Sequence, residues 1–221
     1  MSAIGTRVVL TNVAAGTNPR VVSVTIPAGT SRKLVACTMS DSGFGAQTMN
    51  SQTFDGAACT AFNTQVGSDT PHVTHKWWYY DIPDGHATGA FDLATTLSAD
   101  TGGLGHAIWI TTSNATGAPR INVNEGADGV ATTITSLSTV SGDVLLTVVS
   151  RVDGAATFTA PPASAELTFT NGSTFSTYGA KTGKADVVAD ATETVTVTWT
   201  QGTTAGPRIS ALVNTTPVVA A

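Results

Sequence analysis

The amino-acid sequence predicts an all-β protein, folded as an antiparallel two-sheet sandwich with a jelly-roll-like arrangement of about twelve to fourteen short strands. Three observations lead to this fold class. Apolar and polar residues alternate along much of the chain, clusters rich in Gly, Asp and Asn separate the alternating segments, and 40 of the 221 residues are threonine. β-Branched residues suit a pleated, half-buried strand, whereas the good helix formers Leu, Glu and Lys are scarce.

The alternation is clearest near the C-terminus. In ETVTVTWTQG, the side chains of Val195, Val197 and Trp199 share one face, and threonines occupy the other. RVVSVTIPAG (residues 20–29) repeats this pattern and ends in a Pro and Gly turn. Since successive side chains of a strand point to opposite faces, both segments are typical of half-buried antiparallel strands.

Three other segments are apolar on both faces. They are KLVACTM (33–39), HAIWITT (106–112) and DVLLTVVS (143–150). This pattern predicts central strands that are covered on both sides.

The domain organisation follows from what separates the strands. Turn clusters such as IPDG and NEGADG recur at short spacing, and no linker or charge run divides the chain. We therefore predict a flexible N-terminal arm at 1–15, one β-sandwich domain at 16–214 and a C-terminal tail at 215–221. The two cysteines, Cys37 and Cys59, are too few for a disulfide framework and are expected to act as small buried hydrophobes.

Charge and hydropathy exclude several partners. The net charge is −5, and the ten basic residues are scattered, so the sequence has no basic stripe for nucleic acid. No segment reaches the about 20 consecutive apolar residues of a membrane-spanning helix, and RVVLTNVAAG is not apolar enough for a signal peptide. We expect no membrane partner and synthesis in a cytoplasm.

The sequence lacks the common catalytic and metal-binding motifs. The sequence has no nucleophile elbow, zinc-protease helix, phosphate loop or calcium loop. His72 and His75 are three residues apart, a spacing that on a strand places them on opposite faces, so no metal site is predicted. Most acidic residues lie in predicted turns, where loop capping explains them. Asp55, Asp81 and Asp92 lie in or at predicted strands, but no enzyme activity and no cofactor are predicted.

The candidate binding residues lie in HKWWYYDIPDG (75–85), which holds four of the fourteen aromatic residues. On a strand, His75, Trp77, Tyr79 and Asp81 share one face, and Lys76, Trp78, Tyr80 and Ile82 share the other. Ile82 favours the second face as core. His75 and Asp81 favour the first face as solvent-exposed, so Trp77 and Tyr79 are the predicted contacts for a ligand or a neighbouring subunit.

The order of segments resembles a β-sandwich module of bacteriophage structural proteins and bacterial surface proteins. The resemblance spans about residues 20–213 and is carried by VTIPAG, RKLVACTM, FDGAACTAF, WWYYDIPDG, SGDVLLTVVS and TVTVTWTQGTTAGPRISALV. It implies a binding or assembly module that has no catalytic centre.

Together, these inferences predict a non-enzymatic virion protein that is assembled in the host cytoplasm. The leading expectation is a capsid decoration (cement) protein that binds the major capsid protein or other virion subunits and can also bind itself as a homo-oligomer. One alternative is a carbohydrate- or receptor-binding module of a tail or fibre, whose partner would be a host surface glycan. Further alternatives are a secreted bacterial surface module and an enzyme such as a polysaccharide depolymerase, which replacement of Asp81 or Asp92 with asparagine would test.

Overall fold

The computed structural model describes residues 3–13, 18–41, 48–67, 73–98, 104–112, 117–126, 132–139, 143–152, 158–159, 166–173, 176–184, 193–201 and 208–215. Every regular element in these ranges is a β-strand. In chain order the strands are β1 (Ala3–Val13), β2 (Arg20–Ile26), β3 (Arg32–Asp41), β4 (Met49–Phe54), β5 (Ala57–Ala58), β6 (Thr60–Val66), β7 (Val73–Ile82), β8 (Gly89–Leu97), β9 (Leu104–Thr112), β10 (Arg120–Gly126), β11 (Thr132–Thr139), β12 (Val144–Val152), β13 (Phe158–Thr159), β14 (Glu166–Ser173), β15 (Ser176–Lys184), β16 (Glu193–Gln201) and β17 (Arg208–Asn214).

The strands form four sheets, and neighbouring strands within each sheet are antiparallel. Sheet A has the order β1-β9-β3-β7-β6, and sheet B has the order β2-β8-β4-β5. Sheet C has the order β10-β17-β12-β15-β14, and the small sheet D has the order β11-β16-β13. The predicted all-β antiparallel sandwich is therefore confirmed.

Sheet A is the middle layer of the molecule. One of its faces packs on sheet C in core A–C, which consists of Val35, Cys37, Met39, Trp77, Ala107, Trp109, Val144, Leu146, Val148, Ala211 and Val213. Its other face packs on sheet B in core A–B, which consists of Val22, Val24, Ile26, Leu34, Ala36, Phe54, Ile82, Leu93, Ile108 and Ile110. A smaller group, Met49, Trp78, Leu97 and Leu104, continues this second interface.

The layering explains the two kinds of strand in the sequence. β2 covers only one face of sheet A, and its side chains alternate between buried and exposed. β3 and β9 lie inside sheet A, and their side chains are buried on both faces, as are those of 144–150 in β12. The predicted central strands are thus confirmed, since apolar residues on both faces require a layer on each side.

The number of layers and the N-terminal segment differ from the predictions. Two sheets were expected, but a middle sheet with two buried faces needs a third layer. Residues 1–15 were expected to form a flexible arm, but most of them form β1, which pairs with β9 at one edge of sheet A. Of the predicted tail, only Thr215 lies within the described residues, where its amide donates to the Val144 carbonyl.

Candidate functional site

The aromatic segment of the sequence forms β7, which lies between β3 and β6 in sheet A. Trp77 pairs with Cys37 of β3 on one side and with Asn63 of β6 on the other. β7 is an inner strand of the middle layer, so each of its faces packs against a core over most of its length. Of the predicted binding residues, the structure therefore places Trp77 and His75 in the protein interior.

Trp77 is fully buried in core A–C. Its ring stacks on that of Trp109 at a centroid distance of 6.3 Å and an interplanar angle of 6°, and Phe62 lies 6.2 Å away. The prediction that Trp77 is an exposed contact residue is wrong, because sheet C covers the face that was expected to meet solvent.

His75 is also fully buried on this face. Its Nε2 atom forms a hydrogen bond with the Ser150 hydroxyl of β12, across the interface between sheets A and C. Burial lowers the pKa of His75 to about 3, because a charged imidazole would lose its hydration there. His75 is thus a neutral core residue at pH 7, and its predicted solvent exposure is also wrong.

Asp81 and Tyr79 lie at the end of core A–C and are partly exposed. Lys33, directly across from Asp81 on β3, places its Nζ atom 3.3 Å from Asp81 Oδ1 and donates to the Gly117 carbonyl at 2.6 Å. Asp81 Oδ2 accepts a hydrogen bond from the Gly117 amide at 2.9 Å. The Lys33 ammonium also lies 5.6 Å from the Tyr79 ring centroid. Asp81 therefore neutralises a buried lysine and holds the segment before β10.

Two opposing effects act on Lys33. Burial lowers its pKa below the ordinary value, and the attraction of the Asp81 carboxylate opposes this shift. Both charged ends are tied to neighbouring groups of the same chain, so this cluster supports the fold.

The opposite face of β7 was expected to be core. Trp78 and Ile82 are buried between sheets A and B, which confirms that expectation. Lys76 covers the end of this face, with its Nζ atom 4.6 Å from the Trp78 ring centroid and 2.6 Å from the Met49 carbonyl oxygen. Its hydrocarbon stem therefore covers the end of the interface, and its ammonium donates to the Met49 carbonyl.

A buried polar layer divides the interface between sheets A and B. Gln52 Nε2 donates to the hydroxyl oxygens of Thr38 at 3.0 Å and Thr95 at 2.9 Å, and Thr95 Oγ1 lies 3.2 Å from His106 Nε2. Arg20 pairs with Thr95 in the register of sheet B and is buried in the same row. This layer separates core A–B from the Met49 and Leu97 group.

This polar layer was not predicted from the sequence. Thr and Gln in an alternating strand usually mark its exposed face, and only Gln52 and Thr95 lying opposite each other on β4 and β8 could have suggested the network. Burial lowers the pKa of His106 to about 4, so this imidazole is neutral at pH 7.

Replacing Gln52 with leucine is expected to lower the free energy of unfolding by about 1–3 kcal/mol. The change keeps the side chain close in size but leaves two buried hydroxyls without their donor. Urea unfolding measures the effect, and Asn50→Leu, at an exposed position of the same strand, is the matched control. Equal stability of the two variants would show that the buried hydrogen bonds contribute nothing.

The acidic residues singled out in the sequence lie in separate places. Asp55 Oδ2 is 3.2 Å from His86 Nε2, and the His86 ring packs edge-on against Phe91 at 4.7 Å. Asp84, in the turn after β7, accepts a hydrogen bond from the Ser31 amide, as expected for a turn aspartate. Asp92 is on the exposed face of β8, whereas Asp81 belongs to sheet A. The contacts of Asp55 and Asp84 therefore stabilise turns and the ends of strands.

Cys37 and Cys59 are both free, and burial raises their thiol pKa values, that of Cys59 to about 12, so both stay protonated. Within the described ranges, no cluster of three or more His, Cys, Asp or Glu side chains could hold a metal ion. His72 lies outside those ranges. The described part of the chain also has no helix long and apolar enough to cross a membrane.

Comparisons with known proteins return no relative. No protein family, no curated protein and no solved structure matches the chain.

Proposed function

We propose that the chain is a non-enzymatic structural protein of a bacteriophage particle, which binds the outer surface of the head shell and stabilises it. The order of strand and turn segments resembles the β-sandwich module of bacteriophage structural proteins and bacterial surface proteins. This resemblance is the reason for proposing a phage particle. The observation that carries the binding role is the outer face of sheet B.

This outer face is broad and has short side chains. β2, β8 and β4 expose Val21, Ser23, Thr25, Ala90, Asp92, Asn50 and Ser51, of which Asp92 alone is charged. Val21 is 46% exposed, which is high for a large apolar side chain. Short side chains lose little conformational entropy when a partner covers them, so such a face can bind a flat protein surface at low cost.

The layers beneath make this face rigid. The opposite side of sheet B is packed on sheet A, whose other side is packed on sheet C. A partner therefore meets a surface that is already formed, and little free energy is lost to ordering it. These properties suit a subunit that strengthens a shell by covering surface on it.

The carbohydrate-binding alternative depended on an aromatic platform at Trp77 and Tyr79. Because Trp77 is in core A–C and Trp78 is at the interface of sheets A and B, the tryptophans of β7 are not available to stack on sugar rings. The structure therefore gives no separate support for glycan binding, which the experiment below also tests.

The test is to mix the purified chain with expanded phage heads that lack it. We expect binding that saturates at a fixed copy number per head and raises the temperature at which the heads release DNA. Thr25→Lys, on the outer face of sheet B, is expected to weaken binding by about tenfold, which equals about 1.4 kcal/mol. Thr88→Lys, the same change at an exposed position in the connection before β8, is the matched control.

Other outcomes would overturn the proposal. Absence of binding to heads, together with binding of the isolated chain to host polysaccharide on a glycan array, would establish the receptor-binding alternative. Equal binding by the Thr25→Lys and Thr88→Lys variants would show that sheet B does not face the shell.

A further inference from the structure

The edges of the sheets differ in how they are covered. At one edge of sheet A, β1 lies against β2 of sheet B and against β14 and β15 of sheet C. The edge strand β10 of sheet C lies against β11 of sheet D, and β14 lies against β1 and β9. At the other edge of sheet A, β6 packs extensively with β7 alone among the described strands. Among the strands that the structure describes, the outer side of β6 is therefore the edge of sheet A that no other strand covers extensively.

The sequence along this edge lacks the usual protection. β5, Cys59 and β6 form a continuous segment, AACTAFNTQV (57–66), which contains no charged residue, no proline and no glycine. Val66 at its end is 51% exposed, the largest exposure among the large apolar side chains that the structure describes. Monomeric proteins usually guard such edges with lysine, proline or strong bulges, because an open edge pairs with other chains.

The edge strand β6 has one irregularity that could hinder pairing, and it is long enough to pair with a whole strand. A register shift between Ala61 and Asn63 against β7 is the single irregularity in the β6–β7 pairing. The seven residues of β6 span about 23 Å at about 3.3 Å per residue, which is the usual length of a strand in a sheet. Its outer backbone groups can thus accept a whole additional strand.

We propose that β6 pairs antiparallel with β6 of a second copy of this chain, so that two five-stranded A sheets form one continuous ten-stranded sheet. A two-fold axis through Asn63 would place each Phe62 opposite a Thr64 and each Thr60 opposite a Val66. This proposal concerns the assembly of the chain itself and holds whether or not the chain binds a phage head.

The absence of charge in β6 selects a second copy as the occupant. Symmetric pairing places a strand opposite itself, so any charged side chain near the axis would meet a like charge. A chain with a net charge of −5 has none of its charged residues in this segment. A basic or acidic partner segment would find no complementary charge there, whereas Thr, Asn and apolar side chains form favourable cross-strand pairs with one another.

Light scattering during size-exclusion chromatography tests the proposal on the purified chain. We expect the wild type to elute as a dimer at micromolar concentration. Thr64→Lys and Thr64→Lys/Gln65→Lys place like charges beside the axis and should raise the dimer dissociation constant about tenfold or more. Thr25→Lys, on the edge strand β2 of sheet B, is the matched control and should stay dimeric.

Circular dichroism and thermal unfolding show whether each lysine variant keeps the native fold, since Thr64 is exposed and its replacement should leave the monomer intact. A wild-type chain that stays monomeric at high micromolar concentration overturns the proposal. So does a dimer that both Thr64 variants leave unchanged. Because head binding is tested at Thr25, loss of dimerisation and loss of shell binding are separate results.

Discussion

Replacing Trp77 with alanine is expected to lower the free energy of unfolding by about 3–5 kcal/mol, the usual cost of removing a buried aromatic side chain. Trp77 is fully buried, stacks on Trp109 and contacts Phe62, so its loss would leave a large cavity in core A–C. The surrounding structure usually relaxes only partly around such a cavity, so most of the cost remains. Urea unfolding followed by tryptophan fluorescence and circular dichroism measures the change.

Two variants serve as references for Trp77→Ala. Trp78→Ala removes the same side chain from the opposite face of β7 and should cost a similar amount, because both faces are covered. Val21→Ala, at an exposed position of sheet B, should change stability by less than about 0.5 kcal/mol. A Trp77→Ala variant as stable as Val21→Ala, beside a strongly destabilised Trp78→Ala variant, would contradict the packing of sheet C on β7.

Mild acid is expected to destabilise the protein through His75 and His106. Burial lowers their pKa values to about 3 and about 4, whereas an unfolded histidine has a pKa of about 6.5. The unfolded state therefore binds more protons as the pH falls through 6.5. Between pH 7 and pH 5, each buried histidine should lower the free energy of unfolding by about 2 kcal/mol, which is about 4 kcal/mol for the pair. This stability is fully present above pH 6.5 and continues to fall until the folded pKa values are reached.

Urea unfolding at several pH values between 7 and 5 measures this dependence, in a range where few carboxylates titrate. His106→Gln should reduce the pH dependence by about half, since one of the two buried imidazoles is gone. His86→Gln is the control, because His86 lies beside the Asp55 carboxylate and is not fully enclosed. An unchanged pH dependence in the His106→Gln variant would show that this imidazole is already charged or solvated in the folded state.

Much of the fold could be predicted from local pattern. Alternation identified β2 and β16, and apolar residues on both faces identified β3, β9 and β12 as covered strands. Val195, Val197 and Trp199 lie in β16, as the alternation predicts. The structure does not describe the burial of their side chains. Trp78 was correctly predicted to lie in the core because Ile82 shares its face of the strand.

The prediction that one face of β7 is exposed to solvent was wrong for a physical reason. The sequence pattern predicts solvent around His75 and Asp81, but each has a partner within the protein, the Ser150 hydroxyl for His75 and the Lys33 ammonium for Asp81. A strand pattern assigns side chains to two faces, but it does not say whether a polar residue meets water or a buried partner. The partners come from strands distant in sequence.

The sequence by itself determined the all-β class, the antiparallel strands and which of them are covered on both sides, since these properties depend on side-chain alternation along one strand. Only the tertiary structure decided that sheet A is packed on both faces, that β1 is an edge strand of sheet A, and that the face with Trp77 is buried. It also placed β6 at the other edge of sheet A. These features depend on which distant strands meet, and pairing between them is set by the sum of many contacts across layers rather than by any local pattern.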